Sequence, residues 1–323
     1  MKAIRHYRYG SPEVLLLEDV DKPELADDSL LIRVKAASVN PLDFHFMRGT
    51  PYLLRLMAGI SRPKDSGLGA DMAGVVEAVG QKVSAFQPGD EVYGGGTGTL
   101  AEYVARRHDS VVLRKPANLT FEQAAAVPIA GFTALQALRD KGHVQAGQRV
   151  LVNGAGGGVG TFAVQIARSY GARVTGVCST SKVEMVASIG ADEVIDYTTD
   201  DVTASGHRYD VIIDMVGNWS LKQIKGLLAP TGILVGVGAP EGGKWIGPLA
   251  GLGKTMVASA ASKQKLVSML ASQTRDDLAV LSGLLESGKV TPVIDRSYPL
   301  SEAAEAIRYL EAGHASGKVV VTI

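Results

Sequence analysis

The chain has 323 residues, enough for two domains, and its 46% hydrophobic and 20% charged residues fit a globular protein with a full core. Its 33 basic and 33 acidic residues cancel, so no net charge favours nucleic acid or an anionic membrane as partner. The single cysteine, Cys178, excludes an internal disulfide and a cysteine-rich zinc knot, and no apolar run is long enough to predict a membrane span. The opening Met1-Lys-Ala-Ile-Arg-His is not a secretory signal; a cytoplasmic location is expected, and an organelle protein freed of its transit peptide has the same appearance.

Residues 1 to about 125 read as β-rich. Strands are predicted at Leu15–Val20, Ser29–Ala37 and Gly74–Gly80. Pro88-Gly89-Asp90 is a turn feeding a strand through Tyr93, and a glycine-rich connection over 94–99 leads to a strand at Leu100–Val104. The rhythm changes at Phe121–Leu138, which is helical by pattern. Apolar strands then alternate with helices: Arg149–Val152, helix 159–170, Arg173–Val177, helix 182–189, Glu193–Ile195, Tyr209–Val216, helix 220–228 and Gly232–Val237. That alternation predicts a doubly wound parallel sheet covered on both faces. Lys254–Ala261 reads as a further strand at a sheet edge. Helices are expected at 264–271, 275–286 and 302–311, and strands at Val293–Leu300 and Lys318–Ile323, the last returning to the first domain.

The stretch from Val150 to Gly160 carries the most specific chemistry. An apolar strand runs into Gly154-Ala-Gly-Gly157-Gly158-Val159-Gly160, and a helical pattern follows at once. Strand, glycine turn and helix together form the context of a dinucleotide fingerprint. Glycine lets the backbone approach a pyrophosphate, and the helix N-terminus offers unpaired N–H groups to it. The next strand ends Val177-Cys178-Ser179-Thr180-Ser181-Lys182, without the acid that binds an NAD ribose. Hydroxyls and an ammonium there suit a 2′-phosphate, which selects NADP(H). Ser179 and Ser181 also have the chemistry of helix caps.

Several motifs resemble those of the medium-chain dehydrogenase/reductases, in the zinc-free, zeta-crystallin-like quinone oxidoreductase branch. They are Ser38-Val39-Asn40-Pro41-Leu42-Asp43, Gly69-Ala70-Asp71-Met72-Ala73-Gly74, Pro88-Gly89-Asp90, Ala130-Gly131-Phe132-Thr133-Ala134 and Gly190-Ala191-Asp192-Glu193-Val194-Ile195-Asp196-Tyr197. The ending Gly313-His314-Ala315-Ser316-Gly317-Lys318 resembles chloroplast-envelope and mitochondrial members of that branch. The resemblance spans the chain. It implies an α/β protein with a β-rich GroES-like catalytic domain (1–125 and 263–323) and a Rossmann domain (126–262).

The same resemblance implies roles. The positions matching the catalytic zinc ligands of related alcohol dehydrogenases are Asn40, Ala70 and Ala130, and alanine has no donor atom, so no metal is expected. Asn40 is implied beside the nicotinamide and the acceptor oxygen, Tyr52 at the cleft, and His45 at a proton-relay position; Asp43 is expected to brace the loop. Thr133 matches a nicotinamide contact, and Tyr197 an aromatic near the 2′-phosphate. Val235 and Gly236 end a strand that packs on nicotinamide, and Val216, ending the strand before it, is counted with the cofactor residues. Lys318 matches a pyrophosphate-binding arginine.

Without a metal, hydride must reach an acceptor that is already activated, such as a quinone or an α,β-unsaturated carbonyl. The implied function is an NADPH-dependent oxidoreductase of that kind, with a small-molecule acceptor and a homodimer paired at the predicted edge strand. Two alternatives stay open: an enoyl-thioester reductase, for which Arg55, Arg62 and Lys64 form no clear basic patch, and a non-catalytic NADPH-binding protein. Trp245 is a candidate cleft residue, more simply read as packing.

Overall fold

The computed structural model describes residues 1–237 and 263–323, which form two compact units. The predicted strand Lys254–Ala261 and Trp245 lie outside the described residues.

The β-rich unit comprises Met1–Ile129, Gln273–Ser287 and Pro292–Ile323. Its strands are β1 (Lys2–Arg5), β2 (Leu16–Asp19), β3 (Ser29–Val39), β4 (Asp71–Val79), β5 (Glu91–Gly95), β6 (Tyr103–Arg107) and β7 (Val112–Arg114), joined by Ile294–Pro299 and Lys318–Thr322. The main sheet runs Ile294–Pro299, Lys318–Thr322, β3, β4, β5, β7, with β6 also paired to β3. Residues near position 320 thus join, one strand in from the edge, a sheet otherwise built largely from the first 115, antiparallel to β3 with Val319 opposite Val39. Leu30, Ile32, Val34, Met72, Val76 and Val92 fill one core cluster of this unit. A second cluster joins Val39 and Met47 to Ala303, Ile307, Val319 and Val321.

The parallel-sheet unit comprises Ala130–Ser272 and Gly288–Thr291. Its strands among the described residues are β8 (Arg149–Asn153), β9 (Arg173–Cys178), β10 (Glu193–Asp196), β11 (Tyr209–Asp214), β12 (Leu228–Val237) and β13 (Lys265–Met269). Their order is β10-β9-β8-β11-β12-β13 and every pairing is parallel. This is the doubly wound dinucleotide-binding order, with its switch between β8 and β11. The register sets the carboxyl ends level: Val177 pairs with Asn153, Asn153 with Asp214, Asp214 with Gly236 and Gly236 with Ser268. Leu151, Val177, Ile212 and Leu234 pack on one sheet face with Leu227.

Three expectations differ from these elements. Residues 264–271 are not a helix: Lys265–Met269 is β13, hydrogen-bonded to β12. Leu266, Met269 and Leu270 imitate helical spacing, and pairing with a buried strand overrides it. Through β13, residues 263–272 join the parallel-sheet unit, whereas the sequence assigned them to the catalytic domain; the other unit boundary falls within the helix Pro128–Gln136. The strand expected at Leu100–Val104 begins later, at Tyr103, because Leu100 is held in a connection by Leu68 and its amide donates to the Leu68 carbonyl.

Candidate functional site

In the parallel-sheet unit, β8 ends at Asn153 and the chain enters the glycine turn. Gly154 has φ +89°, a left-handed conformation that favours glycine. The amides of Gly154 and Ala155 both donate to the Val177 carbonyl, fastening the turn to the end of β9. Gly157 caps the helix Gly158–Ser169, whose first residues Gly158 and Val159 are half-buried. A Cβ on Gly160 would lie 2.1 Å from the Gly154 carbonyl oxygen, so the helix closes on the turn only with glycine there. Val216, half exposed after β11, borders the same turn: a Cβ on Gly154 would meet its side chain at 3.1 Å.

The end of β9 lies against this turn. A Cβ on Gly156 would meet Lys182 Cδ at 2.6 Å, so the lysine stem runs over the glycines. Ser179 precedes a single turn of 3-10 helix, Thr180–Lys182, without capping it through its hydroxyl, which lies 3.5 Å from the Ser181 hydroxyl. The expected serine cap is absent, and the hydroxyls are left near the strand end. Tyr197, 60% exposed, follows β10, and its amide donates to the Cys178 carbonyl. Cys178 is buried, and burial pushes its thiol pKa up, away from the reactive thiolate. Val235 and Gly236 close β12 beside Asp214. Thr133 is buried in the helix Pro128–Gln136.

Sequence reasoning missed the polar tie at the switch point. Asn153 Nδ2 donates to Asp214 Oδ1 at 2.8 Å and to Asn218 Oδ1 at 3.0 Å. Asp214 also accepts from the amides of Val216 and Gly217 at 3.0 and 2.9 Å. The tie fixes the ends of β8 and β11 and the loop bearing Val216. Its signal was present: two apolar strands each end in a polar residue.

In the β-rich unit, Asn40 ends the β3 segment and begins the helix Pro41–Arg48. It is 2% exposed, and its side chain lies in a network of buried groups. Its Nδ2 donates to Asp71 Oδ2 at 2.8 Å, and its Oδ1 accepts from Lys318 Nζ at 2.5 Å. Asp71 also accepts from Ser38 Oγ at 2.8 Å and from the Ile129 amide at 3.0 Å, with Lys318 Nζ 3.7 Å away. Asp43 accepts the Asn40 backbone amide at 2.7 Å, bracing the loop as expected.

Burial pushes the Lys318 ammonium pKa down, and Asp71 and Asp43 push it back up. Burial pushes Asp71 up against the ammonium and its hydrogen-bond donors. Asp43 is raised to about 7, chiefly by burial. Removing one partner of such a buried pair costs about 3–5 kcal/mol, because the other charge is left alone. Lys318 is therefore not placed as the sequence implied. At 4% exposure, with its ammonium facing the Val39 carbonyl, Asn40 and Asp71, it is a buried counter-ion and not a surface cation offered to a pyrophosphate.

His45 lies within the helix Pro41–Arg48, and Tyr52 opens the 3-10 turn Tyr52–Leu54 that follows it. His45 Nδ1 lies 3.0 Å from the Thr50 carbonyl, and burial lowers its pKa against that contact and the Glu311 charge. Tyr52 is half-buried, with the Arg55 guanidinium 4.7 Å from its ring centre.

A zinc ion does not fit the donors present. Ala70 has no donor, the Asn40 carbonyl oxygen is taken by an ammonium, and among the described residues no three His, Cys, Asp or Glu side chains group as metal ligands.

Comparison with known proteins agrees with this architecture. Residues 26–117 match the alcohol dehydrogenase GroES-like domain, and residues 189–321 match a family described as zinc-binding dehydrogenase. Human quinone oxidoreductase is 36% identical over 100% of this chain and 98% of its own length. The chloroplastic NADPH-dependent alkenal/one oxidoreductase of Arabidopsis thaliana is 36% identical over 99% of this chain and 79% of its own. Escherichia coli quinone oxidoreductase complexed with NADPH superposes with a TM-score of 0.82 at 26% identity, over the whole of both chains. The chain belongs to the medium-chain dehydrogenase/reductase family, in its quinone oxidoreductase branch.

Proposed function

We propose that this protein is a zinc-independent reductase that transfers hydride from NADPH to a quinone or an α,β-unsaturated carbonyl. The observation that carries the reading is the pairing of a glycine turn closed on its helix with a lysine at the end of β9. The helix start offers N–H groups to a diphosphate, and Lys182 with Ser179 suits a 2′-phosphate. Tyr197, Val216, Val235, Gly236 and Thr133 are assigned to the adenosine and nicotinamide ends of the same cofactor.

NADPH supplies the hydride; the chain supplies orientation and charge stabilisation. Reduction of a conjugated carbonyl develops negative charge on its oxygen, so an aimed hydrogen-bond donor accelerates the reaction. Asn40 has such a donor: one Nδ2 proton goes to Asp71 at 2.8 Å, and the other is held by a longer bond to the Ser38 carbonyl at 3.5 Å, which an acceptor oxygen would displace. An acceptor activated by its own conjugation needs no Lewis acid, which matches the absent zinc donors. Tyr52 and His45 are assigned to the acceptor side, with burial favouring the neutral form of His45.

Purified protein is expected to oxidise NADPH with a simple quinone such as 1,4-benzoquinone and with a simple enone such as 3-penten-2-one, and to keep its rate after dialysis against a chelator. Tight NADPH binding with no turnover of either acceptor would replace the reductase by a non-catalytic NADPH binder. Loss of activity on chelation, restored by zinc, would overturn the metal-free reading.

A further inference from the structure

The Asn40 amide is gripped at both ends by groups that cannot exchange roles. An ammonium only donates and a charged carboxylate only accepts. Lys318 at 2.5 Å therefore selects Oδ1, and Asp71 at 2.8 Å selects Nδ2. Flipping the amide would set N–H against ammonium and carbonyl against carboxylate. The surrounding groups are themselves fixed. Asp71 is held by Ser38 and the Ile129 amide, and Asp43 holds the Asn40 backbone at 2.7 Å. A surface asparagine needs none of this, and neither does a lysine whose task is to meet a diphosphate.

We infer that Lys318, Asp71 and Asp43 are positioning residues that lock the Asn40 amide, so that its second N–H, held to the Ser38 carbonyl at 3.5 Å, is presented to the acceptor's carbonyl oxygen in one orientation. The inference rests on the proposed reduction, and it assigns to Lys318 a task separate from cofactor binding. Lys318 acts through Asn40 and touches no reacting atom.

The test is a cycle built on variants that keep the fold. Lys318→Met alone would strand Asp71 in the interior, so Lys318→Met is combined with Asp71→Asn, which removes both charges together. The pair variant is expected to lose about tenfold or more in kcat, as a small misplacement of a reacting group does. Its NADPH dissociation constant, read by cofactor fluorescence, is expected within about twofold of wild type, because the lost interaction belongs to the reacting geometry and not to uniform binding. In an Asn40→Ala background the same pair of changes is expected to cost less than about twofold further, because contacting residues are non-additive. Hydrogen exchange of the Asn40 side-chain NH₂, followed by NMR, is expected to quicken in the pair variant. A full-sized loss in the Asn40→Ala background, or NADPH binding weakened in step with kcat, would return Lys318 to a structural or cofactor role. Amide exchange is read without turnover. If wild-type protein reduces neither acceptor, the reductase reading fails, while unchanged exchange in the pair variant separately overturns the lock.

Discussion

At the scale of single residues, the decisive groups are lysines in opposite surroundings. Lys182 lays its stem over Gly156 and stands at the end of β9, where a 2′-phosphate would replace the missing acid. Lys182→Ala is expected to raise the Kd for NADPH about tenfold or more, the worth of one charge-assisted hydrogen bond, and to leave NADH nearly unchanged. Equal loss for both cofactors, measured by fluorescence titration, would remove that assignment. Lys318 is buried with Asp71 and Asp43, and there pH has a sign. The folded-state pKa of Asp43, about 7, lies above the ordinary 3.8, so the folded protein holds this proton more tightly than the unfolded chain. Its contribution to stability is complete below the ordinary value and is lost as pH rises through about 7. Asp43→Asn stays neutral throughout, so the variant is expected to gain stability relative to wild type as pH rises from about 4 to about 7. Denaturant midpoints of the two proteins across that range would show it, and a constant difference would refute it.

At the scale of elements, the strand–turn–helix unit depends on backbone proximity more than on side chains. Gly160→Ala places a methyl 2.1 Å from the Gly154 carbonyl and 2.8 Å from Ala155, with backbone on both sides. Overpacking of this kind costs about 1–3 kcal/mol. A lowered Tm together with weakened NADPH affinity is expected, whereas a Tm equal to wild type would show that the turn can relax. This element was legible from sequence because each signal is local: apolar strand, glycines at fixed spacing, helical period. The Asn40 network was only half legible. Asn40 and Asp43 stand three residues apart around Pro41, but Asp71 and Lys318 reach them through the β-sheet, and no local pattern reports a cross-strand partner. The sign left in the sequence was a lysine opening the apolar run Lys318-Val-Val-Val-Thr322, where a charge needs a buried counter-ion. Strand β13 failed for the same reason, since its pairing with β12 is not written in its own eight-residue neighbourhood.

At the scale of the whole molecule, β13 has an unpaired edge among the described residues. The homodimer expected from sequence pairs at Lys254–Ala261, which lies outside the described residues; an edge strand of that kind would pair across a two-fold axis. Sedimentation equilibrium is expected to give twice the mass of the 323-residue chain, and a single monomeric species at micromolar concentration would exclude that assembly. The chain's order also has a temporal side. Lys318 meets Asn40 across 278 residues of sequence, on a strand inserted between Ile294–Pro299 and β3. Contacts of such separation form late, after the loop they close has lost its freedom. During synthesis, the glycine turn and β8–β13 leave the ribosome well before Lys318 does. A nascent chain therefore carries its glycine turn before it carries the ammonium that meets Asn40.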